Sequence, residues 1–411
     1  MTADWYIGLA DFRIVDADGH VLEPPTALVD YAPERYHQRI WHIETDGDGQ
    51  EWCVFDGRRY MANYMAMAGT AGMSNQDQQR ALFGGMRYTE VQPGAFLPGA
   101  RLEALVPDRI QQSVIYPTIM LGIAGIADPD FAAAQAAAYN GWIADYCAHA
   151  PDRLFAVGVV PQQEVELAVR EIHHCRELGH VAVFLRPNPM VEGTRLCDPM
   201  YDPLWRACEE TGLPVGFHPY LLADVPGTCR SLGLATVSFD ADMAQVGQSV
   251  GLGNIYFSQA IANPFDMMLT ATYLISGGVL ERFPTLRCIF LEANGGWLVP
   301  WLERLDHHKE VFGWDVPHLS LMPSEYFRRQ CWISFDADEE FLAPTARSPL
   351  CGADRIIWAS DFPHPDAKFP GVTEELAEAT ASLTEMQRRR IFGENAVELY
   401  SLPRVRESAS R

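Results

Sequence analysis

The chain lacks any apolar run of about 18 residues, the length a membrane-spanning helix needs. Its N-terminus has no basic segment followed by an apolar signal core. These absences predict a cytoplasmic protein with no membrane partner. Positive charge is also scarce, with 31 Lys and Arg against 54 Asp and Glu and a formal net charge of −23. Such a surface repels nucleic-acid backbones, and no Lys/Arg cluster is long enough to make a local exception, so the reading excludes nucleic acid as a partner. The nine cysteines are scattered and include no Cys-x-x-Cys pair, which argues against a disulfide framework and against a thiolate zinc site. A phosphate loop is missing too. Gly251-Leu252-Gly253 has no preceding strand and not the rest of a dinucleotide fingerprint.

What is present is enough apolar material for a large core, at 48% hydrophobic and 21% charged residues over 411 positions. From Ala127 onward, segments with helical and strand character alternate, which is the signature of repeated βα units. Strands are predicted over 114–118, 154–160, 181–185, 213–217, 287–291, 331–335 and 355–359, after a first one ending at Ile14-Val15. Helices are predicted over 101–111, 130–149, 164–178, 203–210, 235–250, 266–281 and 297–312. Eight strands in one chain of this length give a single domain over 1–411, an α/β protein of the distorted TIM (β/α)8 barrel class. A long insertion at about 24–100 follows strand one. Within it, residues 41–44 and 51–55 alternate around Asp46-Gly47-Asp48-Gly49, a hairpin signal. The Met- and Gly-rich stretch 61–99 reads as a mobile flap over the strand ends.

Three strand ends carry matching ligand types: Asp18 and His20 after strand one, His218 after strand five, and Asp361 after strand eight. Side chains two apart in a strand share a face, so Asp18 and His20 point the same way with Asp16 behind them. The gaps from His20 to His218 and from His218 to Asp361 hold four and three strand–helix units at roughly 30 to 50 residues each. Barrel enzymes collect their chemistry at those ends. Two carboxylates and two imidazoles suit one divalent metal ion, zinc first and manganese second. Glu292, at the end of strand six, is placed to accept a proton. His364, three residues beyond Asp361, is placed to reach substrate or shuttle protons. Arg186 after strand four is placed to grip a substrate carboxylate, with Tyr220 beside His218 and Asn294 in the turn before Gly295-Gly296 as further substrate contacts.

These residues sit in longer motifs: Val15-Asp16-Ala17-Asp18-Gly19-His20 with Glu23-Pro24, Tyr201-Asp202-Pro203-Leu204-Trp205 leading to Gly216-Phe217-His218, Glu292-Ala293-Asn294-Gly295-Gly296-Trp297, Ala359-Ser360-Asp361-Phe362-Pro363-His364, and Ile391-Phe392-Gly393-Glu394-Asn395-Ala396. In that order they resemble the amidohydrolase-2 family, metal-dependent barrels that include aminocarboxymuconate-semialdehyde, resorcylate and vanillate decarboxylases besides hydrolases. The resemblance assigns Asp18, His20, His218 and Asp361 to the metal and implies a homodimer acting on a small molecule. It also exposes a departure, because the family's strand-six histidine is replaced here by Glu292 or Asn294, depending on the register of counting. That loss favours a hydrolase in which the ion activates water and Glu292 or Asp361 takes the proton. The alternative is decarboxylation of an aromatic or unsaturated carboxylic acid. A metal-free binding or scaffold barrel is the remote third reading, and it would require lost ligands that this sequence retains.

Overall fold

Strand β1, Val15–Val21, is buried at every position, as a parallel strand covered on both faces must be. The computed structural model describes residues 9, 11–61, 66–82, 85–189, 193–220 and 258–405. The further strands are β2 His42–Thr45, β3 Glu51–Phe55, β4 Arg58–Met61, β5 Gln112–Pro117, β6 Leu154–Val159, β7 Ala182–Leu185, β8 Val215–Phe217, β9 Cys288–Phe290, β10 Cys331–Asp336 and β11 Ile356–Ala359. Eight of them form one sheet in the order β1-β5-β6-β7-β8-β9-β10-β11, and every neighbouring pair is parallel. Backbone bonds just beyond β11 complete the ring: Asp361 N–H donates to Asp18 O (3.2 Å) and His20 N–H to Phe362 O (2.8 Å). The result is the distorted (β/α)8 barrel that the alternation predicts.

The helices lie between strands and cover the ring. Helix Pro129–Cys147 begins where the Asp128 side chain accepts from Phe131 N–H and Pro129 occupies the first turn, a combination that satisfies one orphan donor and needs no other there. Helix Asp202–Thr211 stops at Gly212, whose φ of 65° supplies the left-handed cap. The predicted helix over 266–281 is divided into Asn263–Ile275 and Val279–Arg282, because Gly278 takes φ 78° and ends the first run. The predicted helix over 101–111 is confined to Pro98–Ala104. The one predicted over 235–250 lies outside the described residues.

In the insertion, β2 and β3 pair antiparallel as the hairpin signal predicts. β4 adds a third strand that its Arg58-Arg59 start conceals from a hydrophobic pattern. Downstream, helix Asn75–Leu82 and short 3-10 turns lie against the end of the barrel. Leu22 N–H donates to Ala95 O (2.8 Å) and Ala71 N–H to Pro363 O (3.0 Å), while Gln78 Nε2 donates to Pro365 O (2.9 Å). The described part of the insertion therefore touches the loop that carries Asp361 and His364. Among the described residues no helix is long and apolar enough to cross a membrane.

Candidate metal centre and active site

The first candidate pair, Asp18 and His20, stands on an irregular strand. Between Asp16 and Gly19 the pairing of β1 with β5 slips by one residue, so Asp16 does not lie simply one pleat behind Asp18. A Cβ on Gly19 would collide with Asp16 Oδ2, Arg101 Nη2 and Ser113 Oγ, which explains the glycine. Asp16 itself accepts from Ser113 Oγ (2.7 Å) and Ser360 N–H (3.0 Å). It ties β1 to β5 and to the end of β11, a supporting role. The buried Arg101 guanidinium adds bonds to His20 O and, at 3.2 Å, to Ser113 Oγ.

The two histidines are held in one tautomer each. His20 Nδ1 lies 2.7 Å from Pro117 O, and His218 Nδ1 lies 2.7 Å from Pro219 O. A carbonyl can only accept, so in the neutral rings Nδ1 carries the proton and Nε2 keeps its lone pair. Those two Nε2 atoms face each other at 3.2 Å. Around them stand Asp18 Oδ1 at 3.7 Å and Asp361 Oδ1 at 3.5 Å from His20 Nε2, and Glu292 Oε2 at 2.7 Å from His218 Nε2. Asp18 Oδ1 is buried and has no hydrogen-bond partner. Two converging lone pairs, an orphaned carboxylate oxygen and two more carboxylates form a set that repels itself and suits a divalent cation.

The electrostatics agree. Burial raises Asp18 well above the usual carboxylate range, and Glu292, Asp361 and Asp16 add to that rise. Burial also lifts Asp361 well above its ordinary value, helped by Asp366 and Glu292. His20 is pushed well below its ordinary value by burial and then by His364 and His218. Burial lowers the basicity of His218, but Glu292 and Asp18 outweigh it and its pKa is raised. Donor atoms of Asp18, His20 and His218 lie within 4.8 Å of one another, as do those of His20, Glu292, Asp361 and His364. The four residues read from the sequence as ligands are thus brought together, and Glu292 joins them.

Beside these atoms opens a cavity of about 340 Å³ lined in part by Gln259, Glu292, Asn294, Asp336, Asp361 and Asp366. Three non-glycine residues at its rim take left-handed backbone: Glu292 (φ 42°), Asn294 (φ 52°) and Asp361 (φ 52°). Such conformations cost energy and cluster at functional sites. Glu292 Oε1 accepts from Gln259 Nε2 (3.3 Å), and Asn294 Nδ2 donates to Asp336 Oδ2 (2.9 Å). Asn294 is therefore both a turn residue and part of the wall. Arg186 is buried, with Nε donating to Asn188 O (2.8 Å) and Nη2 to Pro189 O (3.2 Å), and it is not among the described residues of that lining. Tyr220 packs against an apolar cluster of the barrel. His364 has both ring nitrogens engaged, Nδ1 with Asp361 Oδ1 (2.7 Å) and Nε2 with Thr118 Oγ1 (3.0 Å).

Three residues at the site escape the sequence reading. Gln259 lies in the π-helical turn Ser258–Ala262 and carries no motif signal. Asp366 follows His364 by two positions on the same loop, and Thr118 is the first residue past β5, so the strand-end rule that finds His218 would have found Thr118 too.

Known proteins bear on this geometry. The 2-amino-3-carboxymuconate-6-semialdehyde decarboxylase of Dictyostelium discoideum is 25% identical over 331 residues, which are 79% of this chain and 82% of that one. Among solved structures, an amidohydrolase from Mycobacterium avium subsp. paratuberculosis K-10 matches with a TM-score of 0.73 at 20% identity, covering 95% of this chain and 99% of its own. A 5-carboxyvanillate decarboxylase from Novosphingobium aromaticivorans DSM 12444, complexed with manganese and 4-hydroxy-3-methoxy-5-nitrobenzoic acid, matches with a TM-score of 0.63 at 20% identity, covering 96% and 97%. Those two likenesses carry the barrel. The family model described as amidohydrolase matches residues 15–402, from the strand of the first ligands to the last helix, and the chain belongs to that family of enzymes.

Proposed function

We propose that the protein is a metal-dependent, non-oxidative carboxy-lyase of a small aromatic or unsaturated carboxylic acid. The observation that carries the metal part is the convergence of two fixed imidazole lone pairs on three carboxylates at the barrel mouth. What supports decarboxylation over the hydrolysis favoured by the sequence alone is the activity of the relative aligned over 79% of the chain. The order of the two readings is reversed accordingly, with hydrolysis second. The order of metals changes too: a structural neighbour holds manganese, so manganese precedes zinc.

Asp18, His20, His218 and Asp361 would hold the ion, which when bound supplies positive charge to a substrate carboxylate and a neighbouring oxygen. Among the described residues, the cavity wall supplies little of its own. Its cation, Lys368, lies 3.6 Å from Asp338 and 3.4 Å from Glu375, while Asp336, Asp366 and Glu292 repel an anion. Substrate binding by this wall therefore depends on the ion. Glu292 is the residue that holds and moves the proton: as the bond between the substrate carbon and its carboxylate breaks, the carbon keeps the electron pair, takes the Glu292 proton and releases carbon dioxide. Burial would raise the Glu292 pKa, but the imidazole of His218 prevails and keeps it lowered, so the group rests as the carboxylate and takes up a proton from solvent through the cavity before delivering it to carbon. Gln259, bonded to Oε1, keeps the carboxyl oriented. A homodimer remains part of this reading.

The test is to load the purified protein with manganese and follow carbon dioxide release from hydroxybenzoates and unsaturated dicarboxylates, alongside hydrolysis of amides and lactones. Carbon dioxide release is expected. Hydrolytic turnover without it would put the second reading first.

A further inference from the structure

We propose that Thr118 is a positioning residue of the metal centre, its hydroxyl holding the His364 ring at Nε2 so that Nδ1 stays turned onto Asp361. The inference rests on the metal reading above and is independent of which reaction the site performs. His364 Nδ1 lies 2.7 Å from Asp361 Oδ1, and a carboxylate that holds a cation is ionised and can only accept, so opposite it the neutral ring carries its proton on Nδ1. Nε2 is then a buried lone pair that needs a donor. Thr118 Oγ1, 3.0 Å away, is that donor. Without the hydroxyl, Nε2 has no such partner. The buried nitrogen is then left unsatisfied, and the ring loses one of the two bonds that hold it against Asp361.

Thr118 is itself held firmly. The next two backbone amides, Ile119 N–H and Met120 N–H, donate to Glu23 Oε2 (2.9 Å) and Oε1 (3.1 Å). Glu23 is fully buried, and Tyr88 Oη donates to its backbone carbonyl (2.7 Å). At the other end the His364 ring stacks on His20, with centroids 4.1 Å apart and planes 28° apart. The ring is thus fixed in its plane by the stack, and the hydroxyl and Asp361 hold its two nitrogens from opposite sides. Asp361 needs that support because its backbone is left-handed, φ 52°, and Asp366 stands against its carboxylate. Outer partners of this kind orient a ligand, and losing one costs about 10- to 100-fold in metal affinity.

The experiment titrates manganese(II) alone into chelator-stripped protein and reads free manganese by its electron paramagnetic resonance signal. Thr118→Val keeps the side-chain volume and removes the hydroxyl. It should raise Kd by about 10- to 100-fold, with thermal unfolding of the metal-free protein unchanged. Thr118→Ser should restore the wild-type affinity. In a His364→Ala background, already weak, Thr118→Val should add nothing, because the hydroxyl acts through the ring. Wild-type affinity in folded Thr118→Val would overturn the inference, as would a serine variant as weak as the valine one, or an equal loss with and without His364. Should the valine crowd the loop and prevent folding, Thr118→Ala is read in the same way. A wild-type protein that binds no manganese or zinc would remove the metal reading and this inference with it. Failure of every decarboxylation assay beside a weakened Thr118→Val would instead overturn only the reaction.

Discussion

Glu292 concentrates what is particular to this chain at the scale of single residues. Its carboxylate lies 2.7 Å from His218 Nε2, on a left-handed backbone with φ 42°, and it is one of the two positions, with Asn294, where the resemblance expects a histidine. A proton carrier and a metal ligand occupy the same place here, and one substitution separates them. Glu292→Gln keeps the shape and removes the titratable group. Acting as the proton donor, Glu292 predicts a mutant that retains metal and substrate while kcat falls by about 10² to 10⁴. Metal content and single-turnover kinetics on the same sample check this, and a mutant emptied of metal would make Glu292 a ligand instead. Much of the site at this scale was legible beforehand, because Asp18, His20, His218 and Asp361 each follow an apolar run, and a barrel puts such residues at one mouth. Arg186 obeys the same rule, and two of its guanidinium nitrogens are engaged by Asn188 O and Pro189 O. Position at a strand end does not say which way a long side chain turns.

Elements were legible wherever the hydrophobic period was unbroken. The strand after Leu154 and the helix after Asp128 appear within two residues of their expected ends. The failures have local causes, such as Gly278 dividing one long helix and charged residues opening β4. The insertion was the least legible element, since Met and Gly give no period to read. Its described part meets the strand-eight loop through backbone bonds at Pro363 and through Gln78 at Pro365. Gly72 makes the closest approach: at φ 68°, a Cβ there would lie 2.6 Å from Phe369 O and 3.0 Å from the Phe369 ring. Gly72→Ala combines a left-handed backbone penalty of roughly 1 to 2 kcal/mol with that clash. We expect the variant to be cleaved faster by protease between residues 66 and 99, with the barrel itself intact on gels. Cleavage at the wild-type rate would mean that contact with the Phe369 segment does not hold the insertion.

Across the whole molecule, the ring closes between its first strand and the loop after its last, with Asp361 N–H bonded to Asp18 O. No local pattern in the sequence could announce a bond between residues so far apart, although the count of eight strands made it expected. That closure is also where the acidic excess matters most, because the same junction gathers Asp18, Asp361 and Glu292, buried or half-buried, in a chain of formal charge −23. Added salt screens surface charge over about 8 to 10 Å and leaves such a buried group largely unrelieved. A bound divalent cation would relieve it directly and would bind only the folded barrel, since the candidate ligands come from three strands far apart in the sequence. Stability must then rise with metal concentration as RT ln(1 + [M]/Kd), about 2.7 kcal/mol at a hundredfold excess over Kd. Chelator-stripped protein should show a Tm that climbs with the logarithm of manganese concentration and stays nearly fixed when sodium chloride is added instead. His218→Ala and Asp361→Ala should each flatten the manganese dependence by removing a ligand, and elemental analysis should find the metal lost from both. A wild-type Tm indifferent to manganese and zinc alike, or mutants that respond as the wild type does, would show that these strand ends gather for some purpose other than holding an ion.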